Sequence, residues 1–558
     1  MLFFLKYKQF KIFELISLTI IHHFYSMLLF KIISKSRYVF IPLGIVCIGM
    51  IIFIVPVKRS YTQPSPKREM RAVWISTVMN IDFPSSWKIS PAEQKKELDA
   101  AIELHKKNHI NTIIFQVRPT ADAIYKSDIE LWSVWLSSKQ GQTPNPAWDP
   151  LAYMVELCHK NNMELHAWFN PFRAMTDTAR HDLVDSAHIT FTKPKWFIPY
   201  GRTLYFDPGL LEVRTYVNKV IVDVLKRYDI DGVHFDDYFY PYKIAKEEFK
   251  DSLTFLKNKG KFKKEQKGDW RRNNIDLFVK SVSDSIRILK PWVKFGIAPF
   301  GVWRNKADDP SGSDTRAGAP CYDVLYADVL KWLKNGWIDY ITPQIYWHIG
   351  HTHADFKTLV DWWSKNSYGK HLYIGQAAYK FDPKSTQPEW KEVGQITKQV
   401  ELIRSYKEIQ GSMFFSSKSF RSNQGELNDL FQNLLYASVS LIPVMPWKDY
   451  TPPKSPDLIT VKREDAGFWI RWKADESKSE FDKAKYFVVY RFAGTEAGSM
   501  NDARNIFAIV REPNIFIPDK KSFFGIFKKK YSFIITAVDR LHNESPASKQ
   551  VIIKLKAL

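Results

Sequence analysis

The sequence predicts an α/β fold: a (β/α)8 barrel of the TIM type, followed by a small all-β sandwich. Two observations predict the barrel. From Met70 onward the chain repeats one unit eight times, a short apolar run, then a polar loop, then a helical segment. No glycine-rich nucleotide loop follows any of the runs, which disfavours the alternative, a doubly wound open sheet. Short alternating runs after Pro443 predict the sandwich.

The eight apolar runs have the length of buried parallel strands. They span residues 70–78, 111–119, 164–172, 231–239, 293–301, 339–347, 371–379 and 411–419. Helix starts are marked by capping residues: Ser90 is followed by Pro91 and Glu93, which predicts a capping box. Asp149-Pro150 and Asp207-Pro208 repeat the cap-then-proline pattern. A last helical stretch is expected over about residues 425–440.

An apolar stretch at residues 38–55 precedes the barrel and is long enough to cross a bilayer as a helix. Basic residues before it predict a cytoplasmic N-terminus with the rest of the chain outside. We therefore expect residues 1–59 to be a membrane anchor, or alternatively a cleaved signal segment, and residues 60–69 to be a linker. The predicted location is the cell envelope, membrane-anchored or secreted, with the catalytic domain outside the cytoplasm.

Domain boundaries follow from changes in composition. The barrel is expected over residues 70–442, a proline-rich linker over 443–458 and the sandwich over 459–558. The pattern "KYSFIITAVDRLHNES" in the last segment resembles fibronectin type III modules. Such a resemblance implies a spacer or binding module and no catalysis.

The net charge of +22 favours polyanionic partners such as acidic glycans. The densest basic cluster, residues 257–272, is interpreted as a solvated loop. No zinc-finger, RRM or P-loop pattern is present, so no nucleic-acid partner is expected. Three cysteines support no disulfide framework. His348, His351 and His353 are interpreted as part of a polar loop, and neither a metal nor a cofactor is expected.

Polar side chains gather at the carboxyl ends of the predicted strands. In a barrel of this type that end carries the active site. Because strand side chains alternate between faces, several polar residues on one strand are expected to share the inward face. A layer of hydrogen-bonded polar side chains inside the barrel is the alternative, and it would account for His166 or Gln116. The sets are Gln116 with Arg118, His166 with Trp168 and Asn170, His234 with Asp236 and Tyr238, Gln344 with Tyr346, and Gln376.

Two adjacent carboxylates, Asp236 and Asp237, end the fourth predicted strand within "DGVHFDDYFYP". We predict that Asp236 faces the barrel mouth and that Asp237 points away or into the next loop. Close carboxylates in apolar surroundings raise each other's pKa, which suits an acid, base or nucleophile. A structural role is the alternative for Asp237, as a buried carboxylate bonded to Arg118 or to backbone amides.

Glycoside hydrolysis needs two carboxyl groups, and the fifth to eighth predicted strands end without Asp or Glu. Asp122 ranks first as partner for Asp236, because it lies four residues beyond Arg118, just past a strand end. Asp82, Asp308 and Asp309 are further candidates. The predicted catalytic set is therefore Asp236, Asp237 and Asp122.

Aromatic residues near the strand ends could stack on sugar rings, although about half of them would be expected to pack beneath loops instead. Together with the polar residues they give a predicted substrate-binding set: Arg118, Trp168, Asn170, His234, Tyr238, Trp303, Gln344, Tyr346 and Trp347.

Seven sequence blocks resemble the glycosyl-hydrolase-like 10 family over about residues 68–431: "MRAVWISTVMNIDFPS", "FQVRPTADAIYKSDIELWS", "AWFNPFR", "DGVHFDDYFYP", "GIAPFGVWRN", "DYITPQIYW" and "FFSSKSF". The family includes bacterial envelope proteins that cleave peptidoglycan glycan strands, notably strands stripped of stem peptides. The resemblance implies a TIM-type barrel and a glycosidase. It also implies a role at the site for Asp236 and Asp237, and for Arg118, Asp122, Asn170 and Gln344.

The segment "DGVHFD" is also similar to the fourth-strand "DG-x-R-x-D" of the amylase-like superfamily, whose last Asp is the nucleophile and falls on Asp236. The sequence therefore predicts an exported glycoside hydrolase of cell-wall glycan, with a polysaccharide substrate and a membrane contact through the N-terminal segment. A non-catalytic glycan-binding envelope protein, or a hydrolase of another polysaccharide such as an α-glucan, is the alternative.

Overall fold

The computed structural model describes residues 65–391, 394–475, 477, 479–519 and 528–556. The predicted anchor or signal segment, residues 1–59, lies outside them. Within the described ranges, no helix combines the length and apolar character needed to span a bilayer.

Eight parallel strands close into a barrel, which confirms the predicted (β/α)8 fold. Each strand pairs with the next one along the chain, and the eighth pairs with the first, for example Met70 with Gly411. The strands are shorter than predicted because polar loops take over at their carboxyl ends. In chain order they are Met70–Ile75, Thr112–Arg118, Glu164–Phe169, Gly232–Phe235, Lys294–Ile297, Tyr340–Ile341, His371–Gln376 and Ile409–Phe414.

Helices pack around the barrel and bury their apolar faces against its strands. The main ones are Pro91–Lys107, Pro150–Lys160, Leu211–Arg227, Lys267–Leu289, Val329–Lys334, Phe356–Lys365 and Gly394–Arg404. Shorter helices lie in the connections: Val134–Ser137, Ile189–Thr192, Ser252–Asn258, Ser417–Arg421 and Leu427–Leu430. A small antiparallel sheet follows the third barrel strand and is formed by Arg173–Met175, Phe197–Tyr200 and Thr203–Phe206.

The predicted helix starts hold in two of three cases. Ser90 and Glu93 form the capping box, and Asp149 caps the helix that begins at Pro150. The prediction from Asp207-Pro208 is wrong, because the helix begins three residues later, at Leu211. The Asp207 carboxylate instead accepts the Gly209 amide at 2.9 Å. The basic cluster at residues 257–272 is also only partly a loop, since a helix begins at Lys267.

A small all-β sandwich follows the barrel, as predicted. It consists of two antiparallel sheets around a common apolar core. One sheet has the strands Asp457–Glu464, Gly467–Lys473 and Asn514–Pro518. The other has Tyr486–Ala493, Ile506–Val510, Lys528–Val538 and Val551–Lys556.

Both predicted linkers are partly built into the barrel base. Glu69 is buried and pairs with Arg71 and Arg404, at 2.8 and 2.7 Å. After the barrel, Met445 is fully buried, and the Trp447 indole donates to Asp339 at 3.0 Å. Glu69 therefore ties the end of the first predicted linker to the barrel through one fully buried and one partly buried arginine.

A chain of hydrogen bonds runs through the inside of the barrel. The Trp74 indole donates to Nε2 of His234 at 3.2 Å, and His234 Nδ1 lies 3.0 Å from the Tyr340 hydroxyl. That hydroxyl also lies 2.8 Å from His166 Nδ1, and His166 Nε2 lies 3.1 Å from Glu164. Burial lowers the pKa of His234 well below its ordinary value, so its imidazole is neutral and can accept the Trp74 proton at Nε2.

The same chain reaches the sandwich at the base of the barrel. Glu164 binds the buried Lys294 ammonium and also lies 2.6 Å from His542 of the sandwich. A second contact between the two domains joins Asp229 to Arg540 and, at 3.1 Å, to Lys485. Burial lowers the pKa of His542 to about 4, so its contact with Glu164 is a buried hydrogen bond, and the two domains are joined by the ion pairs of Asp229.

Candidate active site

A cavity of about 210 Å³ opens at the carboxyl ends of the barrel strands. This is small beside drug-sized sites of about 300–1,000 Å³, and it suits a single sugar unit of a chain. Aromatic rings form much of its wall, with one arginine and two adjacent carboxylates. The lining residues are Trp74, Ser76, Val78, Ile81, Gln116, Trp168, Arg173, Asp236, Asp237, Tyr238, Ala298, Gln344, Tyr346, Tyr379 and Phe415.

Asp236 follows the last residue of the fourth strand and is held by side chains of the third. The Asn170 amide donates to both of its oxygens, at 3.2 and 3.1 Å, and the Trp168 indole donates to one of them at 3.2 Å. Burial raises the pKa of Asp236, while Arg173, Asn170 and Trp168 oppose that shift. Three hydrogen bonds directed at one carboxyl group favour its ionised form.

Asp237 lies in a different environment within the same cavity. The Tyr242 hydroxyl donates to its Oδ2 oxygen, and Gln344 is a second partner. Burial, followed by the neighbouring charge of Asp236, raises the pKa of Asp237 to about 7. This carboxyl group can therefore hold a proton near neutral pH and give it up, which is what a general acid requires.

The two carboxyl groups are consecutive in sequence, but their surroundings act differently on their pKa values. Asp236 has the donors that stabilise a negative charge, and Asp237 has the raised pKa of a proton donor. Pairs of carboxyl groups with different pKa values mark acid and base roles in hydrolases. The Arg173 guanidinium lies 5.1 Å from the centre of the Tyr238 ring, which places a positive charge at the same wall.

The sequence of this chain is similar to those of known proteins. The model of the glycosyl hydrolase-like 10 family matches residues 69–392. The chain belongs to this family. It is 42% identical over 488 residues to glycosyl hydrolase YngK of Bacillus subtilis (strain 168), covering 87% of this chain and 93% of the relative. It is 36% identical over 375 residues to glycosyl hydrolase DigH of Escherichia coli (strain K12), covering 63% and 84%.

Among solved structures, the glycoside hydrolase domain of PgaB (BpsB) from Bordetella bronchiseptica is 11% identical to this chain. The match covers 66% of this chain and 99% of that domain, with a TM-score of 0.43. At that level the likeness adds nothing to the assignment. Family membership confirms the predicted enzyme class: this glycosyl hydrolase-like 10 protein is a glycoside hydrolase.

Several predicted residues of this family member line the cavity. They are Asp236, Asp237, Trp168, Tyr238, Gln344 and Tyr346. Asp237 is predicted to point away from the mouth or into the next loop: it does bond to Tyr242 of the following loop, but it also lines the cavity, because the chain bends at Asp237 and the strand alternation ends there. Asn170 does not line the cavity but holds Asp236 in place. His234 lies one layer deeper, beneath Trp74, and is not a substrate contact.

Arg118 is placed differently from the prediction. An irregularity in pairing between Gln116 and Arg118 puts the arginine out of register with the inward-facing set. Its guanidinium is fully buried, forms two hydrogen bonds to Glu130 and donates to the carbonyls of Asn170 and Pro171. Arg118 therefore supports the loops behind the site and cannot contact substrate.

The structure does not bring Asp122 into the cavity. Its carboxyl group is buried and accepts bonds from Thr120, from the Val134 amide and from Gln140, at 3.2, 3.3 and 3.3 Å. Burial raises the pKa of Asp122 to about 6. A raised pKa away from the cavity reflects loop packing, so the prediction of Asp122 as the catalytic partner is not supported by its position.

The other candidate carboxylates lie elsewhere as well. Asp82 accepts the Ser76 amide at 2.9 Å and the Ser416 hydroxyl at 2.8 Å, which ties the first and last barrel loops together. Asp309 pairs with Arg304 at 2.7 Å, and Asp308 accepts from Asn305 at 3.0 Å, in a loop outside the cavity.

Two predicted sugar-stacking rings pack against protein instead. Trp303 is 8% exposed and stacks on Trp362 with ring centres 5.7 Å apart. Trp347 meets Phe300 edge to face at 5.4 Å. Within the described ranges no cluster of three or more His, Cys, Asp or Glu side chains could hold a metal ion.

Sequence reasoning missed several residues of the site, among them one arginine and three aromatic residues. Arg173, Tyr379 and Phe415 line the cavity, and Tyr242 binds Asp237. Each follows the end of a barrel strand by at most seven residues, so extending the search from strand ends into the loops would have found them. Arg173 even stands in the quoted block "AWFNPFR", where its charge was the available signal.

Proposed function

We propose that this protein is an exported glycoside hydrolase that cleaves cell-wall glycan, with peptidoglycan glycan strands as its substrate. One observation carries the proposal: two consecutive carboxyl groups with different environments share a cavity whose wall includes six aromatic rings. Flat rings suit the apolar faces of sugars, and carboxyl groups with separated pKa values suit glycosidic bond cleavage.

Sequence features support the choice of substrate and location. The blocks shared with the glycosyl hydrolase-like 10 family point to peptidoglycan strands, as the resemblance implies. The net charge of +22 suits approach to an acidic wall polymer. The apolar stretch at residues 38–55 supports a membrane tether or an export signal, with the barrel outside the cytoplasm.

The sandwich is proposed to be a fibronectin type III-like module. Its sheets of three and four antiparallel strands suit that architecture. Its contacts with the barrel base, far along the lumen from the cavity, support a role in stability or spacing. We expect no catalytic residue on it.

Purified protein incubated in parallel with peptidoglycan glycan strands lacking stem peptides, with chitin and with α-glucan tests the substrate. The expected result is release of new reducing ends from the peptidoglycan strands, with fragments identified by mass. An Asp236→Asn variant should keep the melting temperature and release no reducing ends. Cleavage of α-glucan alone would replace the proposed substrate by the amylase-like alternative, and unchanged release by the variant would contradict the assignment of the site.

A further inference from the structure

The two cavity carboxylates approach the substrate from one side. Asp236 and Asp237 are consecutive, so their Cα atoms are about 3.8 Å apart, and both line the wall where the fourth strand ends. In a double displacement the nucleophile reaches C1 from the face opposite the leaving oxygen, which the acid protonates. Two groups that leave the backbone at neighbouring positions cannot flank C1 in this way.

The described cavity wall offers no carboxylate besides Asp236 and Asp237. Apart from Asp236 and Asp237, its residues are neutral except for Arg173. An inverting reaction would need a base about 6.5–9.5 Å from the acid, across the sugar, to activate water. The aromatic and amide side chains that also line the cavity, such as Trp74, Gln116 and Phe415, cannot take that proton.

We propose that the substrate supplies its own nucleophile: the sugar cleaved by this enzyme carries a 2-acetamido group, whose carbonyl oxygen attacks C1 while Asp237 protonates the leaving oxygen and Asp236 stabilises the acetamido N–H. This inference rests on the proposed hydrolase function and deepens it. It assigns the substrate class, a glycan with 2-acetamido sugar at the cleaved bond, and the role of each carboxyl group.

The bonds balance in two steps. First, the acetamido oxygen forms a bond to C1, the bond from C1 to the leaving oxygen breaks with its electron pair, and that oxygen takes the proton of Asp237. The product is a bicyclic oxazolinium whose N–H donates to the Asp236 carboxylate. Water then attacks C1 and gives its proton to Asp237, and the bond from C1 to the acetamido oxygen breaks, which restores the amide and the acid.

The surroundings of Asp236 suit this task. Asn170 and Trp168 hold its oxygens from the third strand, so the carboxylate keeps its charge and its position. The Tyr346 hydroxyl lies close enough to both carboxylates that they add to the rise in its pKa caused by burial, so it stays protonated. It is therefore available to donate to the acetamido oxygen. Such a hydrogen bond would orient the acetamido oxygen toward C1.

Matched substrates test the inference. Peptidoglycan strands are de-N-acetylated and then re-acylated with either acetyl or trifluoroacetyl groups, which are similar in size but differ in the nucleophilicity of the carbonyl oxygen. The wild-type protein should cleave the re-acetylated strands and lose at least about a hundredfold in rate on the trifluoroacetylated ones, since an oriented internal nucleophile contributes a large part of the rate. The thiazoline analogue of N-acetylglucosamine should inhibit wild type, and Asp236→Asn should weaken that inhibition at least about tenfold.

NMR of the first-formed product shows whether the configuration at the anomeric carbon is retained or inverted. Retention at the anomeric carbon together with the trifluoroacetyl effect supports the inference. Inversion, a covalent glycosyl adduct on the protein, or equal cleavage of the two acylated substrates overturns it while leaving peptidoglycan hydrolysis intact. Conversely, if peptidoglycan strands resist and chitin is cleaved with retention, the proposed substrate fails and the inference stands. If no 2-acetamido glycan is cleaved, the inference is overturned as well.

Discussion

Asn170 Nδ2 lies 3.2 and 3.1 Å from the two oxygens of Asp236, and this bond joins the third barrel strand to the end of the fourth. The amide fixes the direction of the carboxylate and favours its charged form. Asn170→Ala should therefore lower kcat by up to about a hundredfold through misplacement of Asp236. KM should change little, because Asn170 does not line the cavity. A kinetic study that separates kcat from KM, alongside a thermal melt, checks this; a pure KM effect would contradict it.

Asp237→Asn should reduce activity on natural glycan by about 10²–10⁴-fold, the usual contribution of a general acid. The melting temperature should not fall, because the side chain size is kept. A substrate with an acidic phenol as leaving group needs no protonation, so the variant should cleave it far better than glycan. A large loss of stability, with activity per folded molecule preserved, would instead support the structural role considered for Asp237.

The pH dependence of activity follows from the protonation states of the two carboxyl groups, since one must be protonated and the other ionised. Asp237 acts while protonated, so activity should be lost as the pH rises through about 7. Asp236 acts while ionised, so activity should also be lost as the pH falls through the pKa of Asp236. Because burial raises that pKa, the loss should begin at a higher pH than for an ordinary aspartate. A profile of kcat/KM against pH measures both limbs.

Tyr242→Phe gives a directional test of the alkaline limb. The tyrosine hydroxyl stabilises the ionised form of Asp237 and so lowers its pKa. Its removal should raise that pKa further and move the alkaline limb to higher pH. Tyr240→Phe, a buried tyrosine nearby that does not line the cavity, is the matched control and should leave the limb in place. A shift to lower pH in Tyr242→Phe would exclude the assigned proton donor.

Arg118→Met should destabilise the fold without changing the site. It leaves the buried Glu130 carboxylate without its cation, which costs about 3–5 kcal/mol in the free energy of unfolding. Arg287→Met, at an exposed arginine, should stay within about 0.5 kcal/mol. Denaturant unfolding measures both. Weaker substrate binding by a variant of unchanged stability would return Arg118 to the substrate-binding set.

The junction with the sandwich gives a further prediction. Glu164→Gln leaves the buried Lys294 ammonium without its carboxylate partner, so the free energy of unfolding should fall by about 3–5 kcal/mol. Asp229→Asn removes a more exposed contact with Arg540 and should cost no more than about 1 kcal/mol. Unfolding curves of the two variants compare these values. Equal losses would show that burial does not decide how much these two contacts stabilise the protein.

The sequence by itself determined the barrel, the sandwich, the family and the position of the carboxylate pair. Strand length, strand number and the capping pattern at Ser90 and Asp149 are local properties, and burial on both faces makes the barrel strands recognisable. Asp236 could be assigned to the mouth because it directly follows a strand, where the alternation of side chains still holds.

Only the tertiary structure decided which polar residues meet. The Arg118 side chain does not point inward with the predicted set, because the strand pairing is irregular between Gln116 and Arg118. A shift of one residue moves a side chain to the other face of a strand. Asp237 joined the cavity because the backbone turns after the strand, and Tyr242 reached it from the following loop. Loop conformation and register depend on contacts between residues far apart in the chain. The sequence could therefore place Asp236, while the fold had to show that the only other carboxylate in the described cavity wall is its neighbour.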